Sequence, residues 1–250
     1  MLSDTLLCPR WIIPVEPAGA VLQDHCVALR DGLIEAVLPR AAAAARFSAY
    51  RKIALDEHAL IPGLVNAHTH AAMSLMRGLA DDLPLMRWLQ EHIWPAEAQH
   101  VSPQFVRDGT LLACAEMLRG GVTCFNDMYF FPQAALEAAL AAGMRISAGI
   151  IVLDAPSAYG SDPDDYLAKG LALRDQWREQ PLASFCLAPH APYTVSDATL
   201  RKVAKLAAEV DVPVHIHLHE TAPEIERSIA EHGVRPLARL ERLGLLGPGL

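Results

Sequence analysis

From Leu60 onward the chain repeats one pattern, a short apolar run followed by a helical stretch of ten or more residues. Parallel strands need a helical crossover, whereas antiparallel strands are joined by tight turns, so this alternation selects a parallel sheet covered by helices. The apolar runs are 60–65, 122–125, 145–153, 183–188 and 212–218. Helical stretches are expected at 83–99, 103–119, 132–142, 167–180 and 197–210, with two more at 223–231 and 234–243. Gly120-Gly121 and Gly143 act as helix stops, and Ser196 is placed to cap a helix start. Five strands of this kind fit the first five units of an α/β barrel of the (β/α)8 TIM type, which takes about 250 residues in full. A Rossmann-like sheet is the alternative, but no GxGxxG follows the first strand.

Residues 1–59 read differently. Candidate strands at 5–8, 26–30 and 33–37 are separated by turn signals, of which Asp31-Gly32 is a hairpin turn. Ala41 to Ala45 reads as a short helix or a surface turn.

Composition removes several function classes. The net charge is −8 and no Lys/Arg run appears, so the basic face that grips a nucleic-acid backbone is not expected. No uninterrupted apolar run reaches the roughly 18 residues of a membrane helix. The start, Met1-Leu2-Ser3-Asp4, lacks a secretory pattern, so a cytoplasmic protein is expected. Five scattered cysteines without CxxC spacing support neither a disulfide framework nor a cysteine metal site, and read as buried thiols in a reducing compartment.

The chemistry sits in two histidine clusters. His68 and His70 lie two apart at the end of an apolar run. A strand has period two, so both imidazoles share a face, and at the C-terminal end of a barrel strand that face is the active-site mouth. A lone HxH is as often incidental as metal-binding; after the apolar run with Pro62-Gly63, a shared metal is the better reading. The second cluster, 215–221, reads His-Ile-His-Leu-His-Glu-Thr. His217 is the metal ligand expected there, while His215 and His219 also fit satisfied core histidines. Glu220 then stands beside the metal, where a proton donor and acceptor is useful.

These residues carry a family resemblance that runs over essentially the whole chain. Pro62 to His70 resembles the first barrel strand of the amidohydrolase superfamily, and His217-Leu218-His219-Glu220-Thr221 the fifth-strand motif of its deaminase and chlorohydrolase branch. The segments 88–97 (WLQEHIWPAE) and 188–193 (APHAPY) are similar to the 5′-methylthioadenosine/S-adenosylhomocysteine deaminases. The resemblance implies a metal-dependent barrel domain over 60–250, with 1–59 as part of a small N-terminal β-sandwich domain. It implies His68, His70 and His217 as ligands of one Zn2+ per subunit, with Fe2+ or Mn2+ also compatible with imidazole. Glu97 and His190 would contact a small-molecule nucleoside, Glu97 through ribose hydroxyls. Glu220 would face the purine edge and shuttle protons, and Trp88 would form an apolar wall. The blander readings are a solvated helix-end carboxylate for Glu97, a capping or core histidine for His190, and a core or interface residue for Trp88. The family also places a histidine on the sixth strand and an aspartate on the eighth, so the chain is expected to be a portion of a longer protein. A homo-oligomer is expected as well.

The implied reaction is hydrolytic deamination of an adenosine-type nucleoside, 5′-methylthioadenosine to 5′-methylthioinosine plus ammonia, with S-adenosylhomocysteine as a second substrate. The family often carries a tail-binding arginine in the loop 159–165, where this sequence has none and places Asp162, Asp164 and Asp165. That favours a small neutral tail such as methylthio. Two alternatives stand beside this reading, a deaminase or chlorohydrolase of another heterocycle (guanine, cytosine, triazine) and a non-catalytic barrel subunit.

Overall fold

The computed structural model describes residues 2–247, 249 and 250. Met1 and Pro248, which enter the readings of the two chain ends, lie outside them. The chain divides into two compact units, Met1–Gly63 and Leu64–Leu250.

The first unit holds β1 (Leu2–Ile12), β2 (Leu22–Gln23), β3 (His25–Arg30), β4 (Leu33–Pro39), α1 (Arg40–Arg46) and β5 (Ser48–Leu60). β1 pairs antiparallel with β2 and β3 and parallel with β5, and β4 pairs antiparallel with β3. Asp31 and Gly32 turn the β3–β4 hairpin with φ of 51° and 77°, the left-handed pair that matches strand twist. The alanine run forms α1, since alanine loses no side-chain entropy in a helix. Ala43 and Phe47 pack on Leu6, Cys26 and Ala28.

One expectation is overturned here. Cys8 and Cys26 form a disulfide across β1 and β3, with Cα atoms 4.3 Å apart. They meet because Leu7 pairs with Val27 in the ladder. Strand register made this pair, and a separation of 18 residues carries no motif that would announce it. Cys114, Cys124 and Cys186 are free thiols, as expected.

In the second unit β6 (Leu64–Thr69) leads through a 3-10 turn (Ala71–Met76) to α2 (Leu85–Trp88), a π-helical turn (Leu89–Ile93) and α3 (Trp94–His100). Then come α4 (Pro103–Arg119), β7 (Val122–Asp127), α5 (Pro132–Ala141), β8 (Arg145–Val152), α6 (Pro163–Trp177), β9 (Ala183–Pro189) and α7 (Asp197–Val210). The last elements are α8 (Ala222–His232) and α9 (Pro236–Arg242). The sheet is parallel, in the order β6-β7-β8-β9, and open among the described residues. Helices α5 and α6 lie on β8 and α7 on β9. The core between them is built from Phe125, Leu136, Met144 and Ile146 on one side and Ile150, Leu187, Leu200 and Val203 on the other.

Four departures from the sequence reading have physical causes. The run 60–65 is not one buried strand. Leu60 ends β5, Pro62 cannot donate to a ladder, and β6 starts at Leu64 as an edge strand, with Leu64 50% and Val65 68% exposed. The helix expected at 83–99 contains the π turn, which ends just before Pro95, a residue with no N–H for the regular ladder. α6 begins four residues earlier than expected, because the Asp162 side chain caps it by accepting from the amides of Asp164 and Asp165. The fifth run, 212–218, is extended but is not a strand. It makes one bridge, Leu187 to Val214, with Leu187 and His190 bonding it along one edge, while the Val214 amide donates to the Gly249 carbonyl at 2.7 Å.

Candidate metal centre and its cavity

Every candidate ligand sits at the C-terminal end of the parallel sheet, where barrel enzymes place their chemistry. His68 is on the last turn of β6 and His70 follows it. The extended run brings His217 alongside, held by a bond from its own amide to the carbonyl of His190 (3.1 Å). The Nε2 atom of His217 lies 3.0 Å from Nε2 of His68 and 3.2 Å from Nε2 of His70. The three imidazoles offer ligand atoms that all lie within 4.8 Å of one another.

The outer ring nitrogens decide what these contacts mean. His70 Nδ1 is 2.6 Å from the Met128 carbonyl and His217 Nδ1 is 2.9 Å from the His190 carbonyl. A carbonyl only accepts, so each Nδ1 carries the proton and each Nε2 presents a bare lone pair. Burial, with the neighbouring imidazoles, holds His68 and His70 down to about 4, so neither is charged at neutral pH. Facing lone pairs with no proton between them fit a shared cation. Two nitrogens on a tetrahedral ion at about 2.0–2.1 Å stand roughly 3.3 Å apart, close to the spacings seen. These residues fit a metal ion.

His215 is not a bystander. Its Nε2 lies 2.7 Å from His68 Nδ1, so it fixes the His68 ring as the carbonyls fix the other two. His219 does turn away, as a satisfied histidine. Its φ is 57°, and its Nε2 accepts from the Leu237 amide at 3.2 Å. Period two therefore fails one residue pair before the end of the cluster.

Glu97, Trp88, His190 and Glu220 line one open cavity of about 1230 Å³ together with His70 and His217. Tyr129 donates its hydroxyl to Glu97 Oε1 at 2.7 Å, leaving Oε2 to accept from a ligand, and burial raises the Glu97 pKa above the usual carboxylate range. Thr194 gives its hydroxyl proton to the Ala191 carbonyl and so accepts from His190 Nδ1 at 2.9 Å. Burial holds His190 down to about 3, which leaves its Nε2 an acceptor. Trp88 anchors its indole N–H on the Leu79 carbonyl at 2.9 Å and turns its ring to the cavity. Glu220 is exposed, and Tyr193 donates to its Oε2 at 3.1 Å. Buried Glu224 accepts from the amides of His219 and Glu220 (3.1 and 2.6 Å), while Thr221 caps α8 by accepting from the Glu224 amide. Thr221-x-x-Glu224 is a capping signature visible in the sequence, but its reach back to Glu220 is not. Tyr129, Tyr193 and Glu224 are not singled out in the sequence, and His215, which there also fits a core histidine, is the partner of His68; each acts on a residue the sequence does single out.

The sequence profile of the amidohydrolase family matches residues 59–249. A curated relative from Saccharophagus degradans, named 5-methylthioadenosine/S-adenosylhomocysteine deaminase, is 53% identical over 98% of this chain and 55% of its own length. The crystal structure of an adenosine deaminase from Xanthomonas campestris with bound zinc is 52% identical, with a TM-score of 0.97 over 100% of this chain and 57% of that one. An atrazine chlorohydrolase from Arthrobacter aurescens TC1, complexed with zinc, shares the fold at a TM-score of 0.86 and 22% identity, covering 96% of this chain and 58% of its own. The chain thus spans a little over half the length of the relatives it matches. Their fold is of the TIM-barrel α/β type, and the four parallel strands here are part of that architecture. With the profile matched over 59–249 and the histidine cluster at the strand ends, the chain belongs to the amidohydrolase family.

Proposed function

We propose that this chain carries the metal-binding part of a hydrolase that removes the exocyclic amine of an adenosine-type nucleoside, with 5′-methylthioadenosine as the preferred substrate and S-adenosylhomocysteine as the second. The observation that carries the reading is the convergence of three imidazole Nε2 atoms at the wall of a cavity that also contains Glu97, His190 and Glu220. His68, His70 and His217 would hold the ion, for which zinc is the assignment, supported by the donor set and by the zinc in the Xanthomonas enzyme. A bound cation of this kind supplies hydroxide at neutral pH, by lowering the pKa of water from about 15.7 to about 7.

The chain's own residues do the rest. Glu220, oriented by the Tyr193 hydroxyl, holds the proton that goes to N1 of the purine as the ring loses aromaticity, and returns one to the departing ammonia. Glu97 Oε2 accepts from ribose hydroxyls, with Tyr129 fixing the other oxygen. His190 Nε2 accepts a further donor of the nucleoside. These contacts keep C6 within attack distance, which is where positioning lowers the barrier. Met73, Leu85, Trp88, Leu153, Pro156 and Ala158 line the cavity and suit an apolar methylthio group. Of the arginines along it, Arg227 is paired with Glu231 and Arg239 is buried against Asp197, so neither is free for a carboxylate tail. The sheet of the first unit reads as part of a small β-sandwich domain.

The test is ammonia release by the full-length, zinc-loaded protein from 5′-methylthioadenosine, adenosine and S-adenosylhomocysteine, with His217→Ala as control. Release fastest from 5′-methylthioadenosine and abolished by the substitution is expected. Stoichiometric metal without release from any of the three would overturn the substrate assignment.

A further inference from the structure

We propose that Asp127 is a positioning residue for the metal centre, whose carboxylate holds the residues on both sides of His70, the Ala71 amide and the Thr69 hydroxyl, and so aims Nε2 at the point the three imidazoles share. The inference rests on the reading of His68, His70 and His217 as ligands. Asp127 ends β7 and is 3% exposed. Its Oδ1 accepts from the Ala71 amide at 2.7 Å and lies 2.9 Å from the Thr69 hydroxyl, which shares its one proton with the Asn126 carbonyl at 3.0 Å; the two partners stand one residue to either side of His70. The next residue completes the grip. Met128 donates its amide to the Thr69 carbonyl (3.0 Å) and offers its own carbonyl to His70 Nδ1. Four bonds from two residues thus hold backbone and ring of one ligand.

The other side of this segment is closed by packing. A Cβ on Gly109 of α4 would lie 2.3 Å from the Ala72 carbonyl oxygen, so the helix presses directly on the turn that follows His70. Sealing a strand end needs only an apolar side chain, and burial pushes the Asp127 carboxyl up to about 6 against the help of its two donors. A carboxylate kept at such a place, with both bonds spent around one ligand, is what orientation of that ligand requires. Partners that orient metal ligands are worth about 10–100-fold in metal affinity.

The experiment titrates the full chain with Zn2+ against a competing chelator and records the melting temperature of the metal-free protein, for the parent, Asp127→Ala and Asp127→Asn. The alanine variant should bind zinc roughly 10–100-fold more weakly. Asparagine keeps an oxygen acceptor and should stay within about fivefold of the parent. Unchanged affinity in Asp127→Ala, with or without a lower melting temperature, would overturn the inference, as would equal damage from both variants. If Asp127→Ala does not fold, Thr69→Val carries the test. Removing that donor should weaken zinc binding severalfold at an unchanged melting temperature, and no change would overturn the proposal. A parent that takes up no zinc would overturn the ligand reading first, and is visible before any variant is compared.

Discussion

His70 and His217 reach the same point from two arms of the molecule that are built differently. Both rings are held at Nδ1 by a backbone carbonyl. The backbone beneath His70 belongs to a strand end, gripped by Asp127 and pressed by α4. The backbone beneath His217 is extended without being a strand, bonded through the amides of His215 and His217 to the carbonyls of Leu187 and His190 and through that of Val214 to Gly249. Its order comes from beyond, where buried Glu224 collects the amides of His219 and Glu220. One arm is fixed by the sheet, the other by a capping carboxylate. The difference would separate the two jobs proposed for the site, since the first arm carries the candidate metal ligands His68 and His70 while the second carries His217 and the proton-handling candidate Glu220.

The comparison can be broken at the metal. His70→Ala and His217→Ala should each weaken zinc binding by more than the roughly 100-fold typical of outer partners, and by similar amounts, because both supply one inner nitrogen. Isothermal titration with competition reads this, and a variant still binding near the parent affinity would remove its residue from the ligand set. A smaller effect sharpens the account of the rigid arm. A carboxyl raised by burial favours the folded state fully below its unfolded pKa near 3.8 and loses that advantage as pH climbs through about 6. Asp127→Asn should therefore gain stability relative to the parent between pH 4 and 6.5, by on the order of 2–3 kcal/mol in metal-free protein. The histidines titrate in both proteins and cancel in that difference. The groups that feel the Asp127 charge, Cys114, Cys186 and Tyr129, are pushed upward and stay neutral throughout. A flat difference in urea midpoints across that range would contradict the assignment. The smallest effect is expected on the second arm. Glu224→Ala removes acceptors from two amides and should cost about 1–2 kcal/mol. Faster hydrogen exchange at 219–221, with no change at 69–71, is the accompanying signature, and unchanged exchange at both would show that the carboxylate does not order this arm.

What could be read from sequence follows the same division. His68 and His70 were legible because period two and a preceding apolar run need no partner to be interpreted. His217 and Glu220 are legible as a cluster, but the apolar pattern beneath them does not show that the run makes a single bridge to β9, too little for a ladder. The sequence leaves His215 open to two readings because its partner, His68, is 147 residues away. Tyr129, Tyr193 and Asp127 gave no signal of their own, as each matters only through the atom it touches. The Cys8–Cys26 bond was hidden in the same way, in the register of two strands.

The central claim is that the Nε2 atoms of His68, His70 and His217 bind one metal ion. Anomalous diffraction at the zinc edge from zinc-loaded crystals tests it most directly. The account predicts a single strong peak about 2.0–2.1 Å from those three atoms, with the Nδ1 atoms still facing His215, Met128 and His190. A peak on other residues, or coordination through Nδ1, would contradict it.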